Sequence, residues 1–145
     1  METNNYTEVD TFLNQVGIEL KRAQRYRVFI SLICIDLSFT NEVFGERASE
    51  VKSEVVSLAK DNVRGSDILS LIGKNCLALL FPETSRQGAE VTSKRISDLI
   101  RSRLAQIAEK QFDSVIHLEM SSFPDTAGAK TIDSFLEELA KKSQN

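Results

Sequence analysis

Few side chains in this sequence have the type and spacing that chemistry requires. Asp36 ends the apolar run Val28–Ile35, and Arg64 precedes Asp67 by three positions. A carboxylate can hold a hard cation such as Mg²⁺. An arginine guanidinium is a planar fork of donors for phosphate oxygens or a guanine edge. An arginine at a helix end and an aspartate before a strand are also ordinary capping choices. The pattern therefore leaves two alternatives open, a ligand-binding pair and a local cap.

The two cysteines form a second group of candidate residues, together with the single histidine, His117. Cys34 lies two residues before Asp36 and therefore shares a strand face with it. Two cysteines cannot build a disulfide framework, so we expect two inert buried thiols in a reducing cytosol, with a redox pair as the alternative. No metal site is expected, because zinc-ligand spacing is absent, and His117 is expected to pack at a strand edge.

Length and composition indicate one globular domain. The chain has 145 residues, of which 41% are apolar and 27% charged, and a net charge of −3. These values favour a single domain over residues 1–145, with residues 1–9 flexible. The acidic balance argues against a nucleic-acid partner. No segment resembles a secretory signal or is long enough to span a bilayer, so we expect no membrane insertion and a cytoplasmic location.

The elements that must position these residues follow from hydrophobic periodicity. A helix over about 10–26, capped by Asp10 or Thr11, precedes a strand, Val28–Asp36, which is apolar on both faces and hence central in its sheet. A polar loop at 41–45 and a helix over 49–63 follow. Two apolar runs in 67–82, separated by Gly-Lys-Asn, predict a β-hairpin with its turn at 73–75.

The remainder of the chain continues this alternation. Thr84 and Gln87 form a candidate capping box that opens a long helix with Ile96, Leu99, Ile100, Leu104 and Ile107 inward. A strand over 114–120 and a helix over 131–141 complete the order. The sum is an α+β sandwich in which helices pack on one mainly antiparallel sheet.

Several strings in this order resemble the GGDEF domain, the nucleotidyl-cyclase-like fold of diguanylate cyclases. The resemblance covers about residues 12–124 and implies a ferredoxin-like sandwich used in bacterial signalling. It also implies that Cys34 and Cys76 lie near each other, since the first strand lies beside the hairpin in that fold. The strings that carry it are Glu19–Tyr26, Ser31–Asp36, Asn41–Gly45, Arg64–Asp67 (R-x-x-D) and Leu79–Thr84.

The hairpin turn departs from the family pattern. Gly73-Lys74-Asn75-Cys76-Leu77 stands where the family has G-G-D/E-E-F, so an amide and a thiol replace a metal-binding carboxylate and the catalytic glutamate. Neither is a good ligand for Mg²⁺. Lys74 puts a side chain where backbone should approach the substrate phosphates. Asp36 alone cannot hold two metal ions. We therefore expect no enzyme activity, no metal and no cofactor.

Other positions bear on ligands. Asn41 matches the family's guanine-contacting asparagine, although the loop before it is about three residues shorter than the family's. Arg64 and Asp67 match the inhibitory product site, and Arg95, 22 residues after Gly73, matches the further arginine of that site. The resemblance thus implies cyclic di-GMP as a ligand. The alternative is a protein-interaction module without a nucleotide, which binds another signalling protein or a second copy of itself.

Overall fold

The computed structural model describes residues 6–112, 116–124 and 131–144. Within them the helices and strands follow the order that the periodicity predicts, with one additional short helix after the first strand. The elements are α1 (Val9–Tyr26), β1 (Ile30–Asp36), α2 (Phe39–Phe44) with a 3-10 turn (Gly45–Arg47), α3 (Ala48–Lys60), β2 (Ile68–Ile72), β3 (Cys76–Pro82), α4 (Arg86–Ala108), β4 (Leu118–Phe123) and α5 (Ile132–Ser143).

The described strands form one antiparallel sheet in the order β2-β3-β1-β4. Strand β1 is central, as its unbroken apolar sequence predicts, because it pairs with β3 on one side and with β4 on the other. Alternate residues of β1 enter different cores. Ile33 and Ile35 pack with α3 and α4, whereas Ile30 and Leu32 pack with α1 and α5. The α+β sandwich is confirmed, with helices on both faces of the sheet.

The hairpin prediction is confirmed, and the predicted polar loop at 41–45 is wrong. Strands β2 and β3 flank a turn at 73–75, where Gly73 has a φ of +63°. The segment that contains Asn41 is helical, since the backbone N–H of Thr40 donates to Leu37 O and that of Asn41 to Ser38 O. Phe39 and Phe44 attach this short helix to the core, a contact that polar neighbours conceal in the sequence.

Several predicted boundaries and caps are also wrong. Helix α1 begins after Glu8 without a side-chain cap, rather than at Asp10 or Thr11. Helix α4 is capped by Ser85, whose side chain accepts a hydrogen bond from Gly88 N, so the Thr84–Gln87 capping box does not form. Strand β4 covers 118–123 rather than 114–120; of the predicted span, residues 114 and 115 lie outside the described residues.

Smaller differences affect three other elements. Strand β1 begins at Ile30 rather than at Val28, helix α3 ends at Lys60, and α5 covers Ile132–Ser143 with Thr131 as its cap. Leu99 and Ile107 are only partly buried, unlike the other members of the α4 stripe. Of the segment predicted to be flexible, residues 1–5 lie outside the described residues, and Tyr6 bridges to Leu69 of β2.

The expectation of two free thiols is wrong, because Cys34 and Cys76 form a disulfide. Strand pairing explains this result. Cys76 lies opposite Asp36, and Cys34 lies two residues from Asp36, so the two cysteines are diagonal neighbours on one sheet face. Their Cα atoms are 5.9 Å apart, within the range that a disulfide bridges. Composition could not show this, since it depends on the register of β1 against β3.

No helix within the described ranges is both long enough and apolar enough to cross a membrane. Helix α4 spans 23 residues but carries charged side chains along its length.

Candidate functional site

Two cavities lie at opposite ends of strand β3, about 20 Å apart along the seven-residue strand. The hairpin-turn cavity has a volume of about 440 Å³ and includes Asp36, Lys74, Cys76 and Lys142 in its lining. The RxxD cavity has a volume of about 650 Å³ and is lined by residues that include Asn62, Arg64, Asp67, Thr84 and Arg95. Both volumes are in the range of small-molecule sites.

The RxxD cavity is built on a buried carboxylate. Asp67 is 2% exposed and lies directly before β2. Its Oδ2 accepts a hydrogen bond of 2.8 Å from the backbone N–H of Arg64, and its Oδ1 accepts one of 3.2 Å from the Arg64 guanidinium. The carboxylate therefore holds both the backbone and the side chain of Arg64. The structure thus shows the local contact between the two residues, with an ion pair, while ligand binding by them stays a prediction.

The Arg64 guanidinium also holds the segment that leaves β3. It donates to the carbonyl oxygen of Pro82 at 3.0 Å and to the hydroxyl of Thr84. The hydroxyl of Ser31, buried in β1, donates to the carbonyl oxygen of Thr84 at 2.9 Å and contacts the Ser122 hydroxyl at 2.8 Å. The wall of the cavity is thus attached to the sheet, while the Arg64 side chain stays 59% exposed.

Arg95 completes the set that the sequence predicts for this site. It lies on α4, lines the RxxD cavity together with Arg64 and Asp67, and donates a 2.8 Å hydrogen bond to the carbonyl oxygen of Asn62. Sequence reasoning missed the contributions of Asn62 and Thr84. Thr84 carries a usable signal, since it ends the Leu79–Thr84 string, but there it is read as part of a capping box. Its contact with Arg64 depends on a loop that only the structure shows.

The hairpin-turn cavity collects the predicted remnants of an active site. Asp36, Gly73, Lys74, Asn75 and Cys76 all line it. The Asp36 carboxylate accepts a 2.9 Å hydrogen bond from the backbone N–H of its near neighbour in the chain, Ser38. Within the described residues, no group of three or more histidine, cysteine or acidic side chains is placed to hold a metal ion.

Asn41 lies outside this lining but contacts the turn directly. Its amide Nδ2 donates to Asn75 Oδ1 at 3.2 Å, and its Oδ1 accepts a 2.9 Å hydrogen bond from the Lys52 ammonium. Lys52 is only 8% exposed; its burial lowers its pKa, and the positive charge of Lys74 lowers the pKa further. Sequence reasoning missed Lys52, although a lysine beside Val51 on the inner face of a helix is a usable signal.

The end of α5 closes one side of the turn. At Gly73 a Cβ atom would lie 2.9 Å from the carbonyl oxygen of Lys142, and the φ of +63° is unfavourable for other residues. The backbone of the turn therefore faces the carbonyl end of a helix. Nothing in the sequence predicts this contact, because it joins residues 69 positions apart.

Comparison of the sequence with protein-family models and with curated proteins gives no match. Solved structures do match, and those that follow are a GGDEF domain and two diguanylate cyclases.

The GGDEF domain of DgcB from Caulobacter crescentus, in complex with c-di-GMP, has a TM-score of 0.69 and 13% identity, over 97% of this chain and 82% of that one. The active GGEEF domain of a diguanylate cyclase from Vibrio cholerae has a TM-score of 0.63 and 20% identity, over 97% and 88%. Diguanylate cyclase SiaD from Pseudomonas aeruginosa, in complex with its activator SiaC, has a TM-score of 0.63 and 19% identity, over 92% and 55%. At such identities the similarity establishes architecture, and the architecture of this chain is that of the GGDEF domain.

Proposed function

We propose that this protein is a catalytically inactive GGDEF-like signalling domain that binds cyclic di-GMP in the RxxD cavity. The observation that carries the proposal is the meeting of Arg64, Asp67 and Arg95 at one cavity, from two separate parts of the chain. The first two lie before β2, whereas Arg95 lies in the third turn of α4.

The chemistry of the cavity suits a ligand of this class. Cyclic di-GMP offers two phosphates and two guanine bases, and a guanidinium can donate to phosphate oxygens or to the guanine edge. The Asp67 carboxylate can accept from guanine N–H groups. Binding requires Arg64 to exchange its hydrogen bonds to Pro82 and Thr84 for hydrogen bonds to the ligand. Some of the hydrogen bonds to the ligand therefore replace bonds that the free protein already makes. A similar fold is known in complex with c-di-GMP, in the DgcB domain.

Four features in and around the hairpin turn support the loss of catalysis. Asn75 and Cys76 carry no charge to attract Mg²⁺, and Cys76 is joined to Cys34. The Asn41 amide is engaged by Lys52 and Asn75, so it is not available to a guanine base without breaking those bonds. The Lys142 carbonyl presents partial negative charge beside Gly73, where a substrate phosphate would have to approach.

Isothermal titration calorimetry with cyclic di-GMP tests the binding proposal. We expect a Kd in the micromolar range, weakened about tenfold or more in Arg64→Ala and in Arg95→Ala, because each loses charged hydrogen bonds. Lys94→Ala is the matched control: Lys94 adjoins Arg95 but is paired with Asp98 on the exposed face of α4, so its removal should leave the Kd unchanged. An absence of heat at high-micromolar ligand, or equal Kd values in wild type and Arg64→Ala, would refute binding at this site.

The second candidate is a protein-interaction module without a nucleotide ligand. It is favoured by the internal contacts of Arg64, because several N–H donors of this residue already form hydrogen bonds within the chain. Protein binding has a counterpart in the same fold, since the SiaD cyclase is bound by its activator SiaC. The Arg64→Ala/Asp67→Ala double variant separates the two candidates. A defined partner captured equally well by wild type and by this variant, together with no response to cyclic di-GMP, would favour the second.

A further inference from the structure

We propose that Cys34 and Cys76 form a reversible dithiol–disulfide pair that exchanges with thiol reductants through the hairpin-turn cavity. This inference does not depend on cyclic di-GMP binding, because the two cavities lie at opposite ends of β3.

The position of the pair makes it reachable without unfolding. Both cysteines line the hairpin-turn cavity, although their overall exposures are only 4% and 5%. A structural disulfide sealed in the core would have no such route to solvent. A small dithiol that enters the cavity can therefore meet a sulfur atom directly.

The charges around the pair favour exchange at Cys76. Lys74 lies two residues before Cys76, and Lys142 lines the same cavity from α5. Positive charge stabilises a thiolate, which is the leaving group in exchange. Two acidic residues have the opposite effect on a thiolate, since Glu119 lies opposite Cys34 and Asp36 lies opposite Cys76 in the sheet. His117 also borders the cavity. Lys74 is two positions from Cys76 in the sequence, whereas no lysine is as near to Cys34, so we assign Cys76 as the leaving sulfur and Cys34 as the attacked one.

The reductant alone supplies the electrons and protons that the exchange requires. A thiolate of the dithiol attacks Cys34 Sγ, the bond between Cys34 and Cys76 breaks, and the Cys76 thiolate takes up a proton. The second thiol of the reagent then loses its proton and attacks the reagent sulfur that is bonded to Cys34. This step releases Cys34 as a thiolate, which also takes up a proton. Two electrons and two protons pass to the protein, and the reagent leaves as a disulfide.

Reduction should leave the fold in place. The turn remains held to the segment after β1 by the hydrogen bond from Leu37 N to Asn75 O, at 2.7 Å, and β1 remains paired with β3 along its length. What is lost is a cross-link over a sequence separation of 42 residues. A link of that span restricts the unfolded chain, so the reduced protein should melt at a lower temperature, by on the order of 10 °C.

Alkylation followed by intact-mass measurement tests the proposal on the full chain. Without denaturant, we expect no labelled thiol after treatment with oxidised glutathione, two after millimolar dithiothreitol, and none after reoxidation. Cys34→Ser, which cannot form the pair, should lose the difference in melting temperature between the two conditions. Two thiols labelled after the oxidant, or a disulfide that dithiothreitol reduces only in denaturant, would overturn the proposal.

A charge variant tests the assigned role of the lysine. Lys74→Gln should slow native-state reduction by dithiothreitol several-fold, because the leaving thiolate loses its neighbouring cation. Lys94→Gln, remote from this cavity and paired with Asp98, should reduce at the wild-type rate. Equal rates in wild type and Lys74→Gln would remove Lys74 from the mechanism, and faster reduction in Lys74→Gln would contradict the assignment of Cys76 as the leaving sulfur.

Discussion

At the scale of single residues, the hairpin turn depends on one glycine. Gly73 combines a left-handed φ with a Cβ direction that points at the Lys142 carbonyl. A methyl group there meets both a backbone penalty and a contact that is too close for the helix end to keep its position.

Gly73→Ala should therefore lower the free energy of unfolding by about 1–3 kcal/mol. Gly17→Ala is the matched control: Gly17 lies inside α1 with open space around its Cβ direction, so alanine there should raise stability by about 0.5–1 kcal/mol. Urea unfolding monitored by circular dichroism measures both. Equal effects of the two substitutions would mean that the α5–turn contact has no energetic weight.

A buried lysine is the second residue-scale feature, and it has a pH signature. The pKa of Lys52 is lowered by burial and by Lys74, so between that lowered pKa and the ordinary value near 10.4 the unfolded chain binds more protons than the folded one. The contribution of Lys52 to stability must then increase as the pH rises through this window.

The melting temperature of wild type, compared with that of Lys52→Met between about pH 8 and about pH 10, isolates this effect. We expect wild type to gain stability relative to Lys52→Met as the pH rises. Lys94→Met, at an exposed position, should follow wild type throughout. A Lys52→Met difference that is constant with pH would show that Lys52 keeps an ordinary pKa in the folded protein.

At the scale of elements, helix α4 begins one residue later than the sequence motif indicates. Ser85 caps the helix, while Thr84 turns back to Pro82 and Arg64. Ser85→Ala should thus cost about 1 kcal/mol of stability through loss of the cap. Thr84→Ala should strengthen cyclic di-GMP binding, because Arg64 no longer has to give up its bond to the Thr84 hydroxyl, and it should not remove the cap. Denaturant unfolding and calorimetry of both variants distinguish the residue that caps α4 from the residue that forms the cavity wall. A larger loss of stability in Thr84→Ala than in Ser85→Ala would contradict the assignment of Ser85 as the cap.

The sequence predicts the elements whose apolar residues recur with a clear helical or strand period. It predicts few of the contacts that depend on how the strands are paired. The central position of β1 and the turn at 73–75 follow from apolar runs and turn residues, and both are found. Helix α2 was missed, because six residues with few apolar positions give no usable period. Arg64, Asp67 and Arg95, which a family pattern grouped, line one cavity, whereas the partners of Lys52 and Cys76 required the packing of distant segments.

At the scale of the whole molecule, the proposed loss of catalysis involves several elements and not the turn alone. Helix α3 supplies Lys52, α5 supplies the Lys142 carbonyl, and β1 supplies Cys34. Restoring the turn carboxylates alone should therefore not restore the reaction.

The double variant Asn75→Asp/Cys76→Glu should form no cyclic di-GMP from GTP and Mg²⁺, measured by liquid chromatography beside an active diguanylate cyclase as positive control. Circular dichroism establishes that the variant is folded. Product formation that disappears when Asp36→Asn is added would show that the rest of the site is still competent, and that the turn residues alone had been lost.

The serine pair inside the sheet gives the molecule a further property. A hydroxyl has a single hydrogen, and that of Ser31 is directed to Thr84 O, so Ser122 must supply the hydrogen between the two serines. These bonds run in one direction, from the outer strand β4 through β1 to the loop that Arg64 holds. The edge strand β4 is thus joined to the guanidinium on the other side of β1 by a chain of oriented hydroxyl groups that passes through no helix.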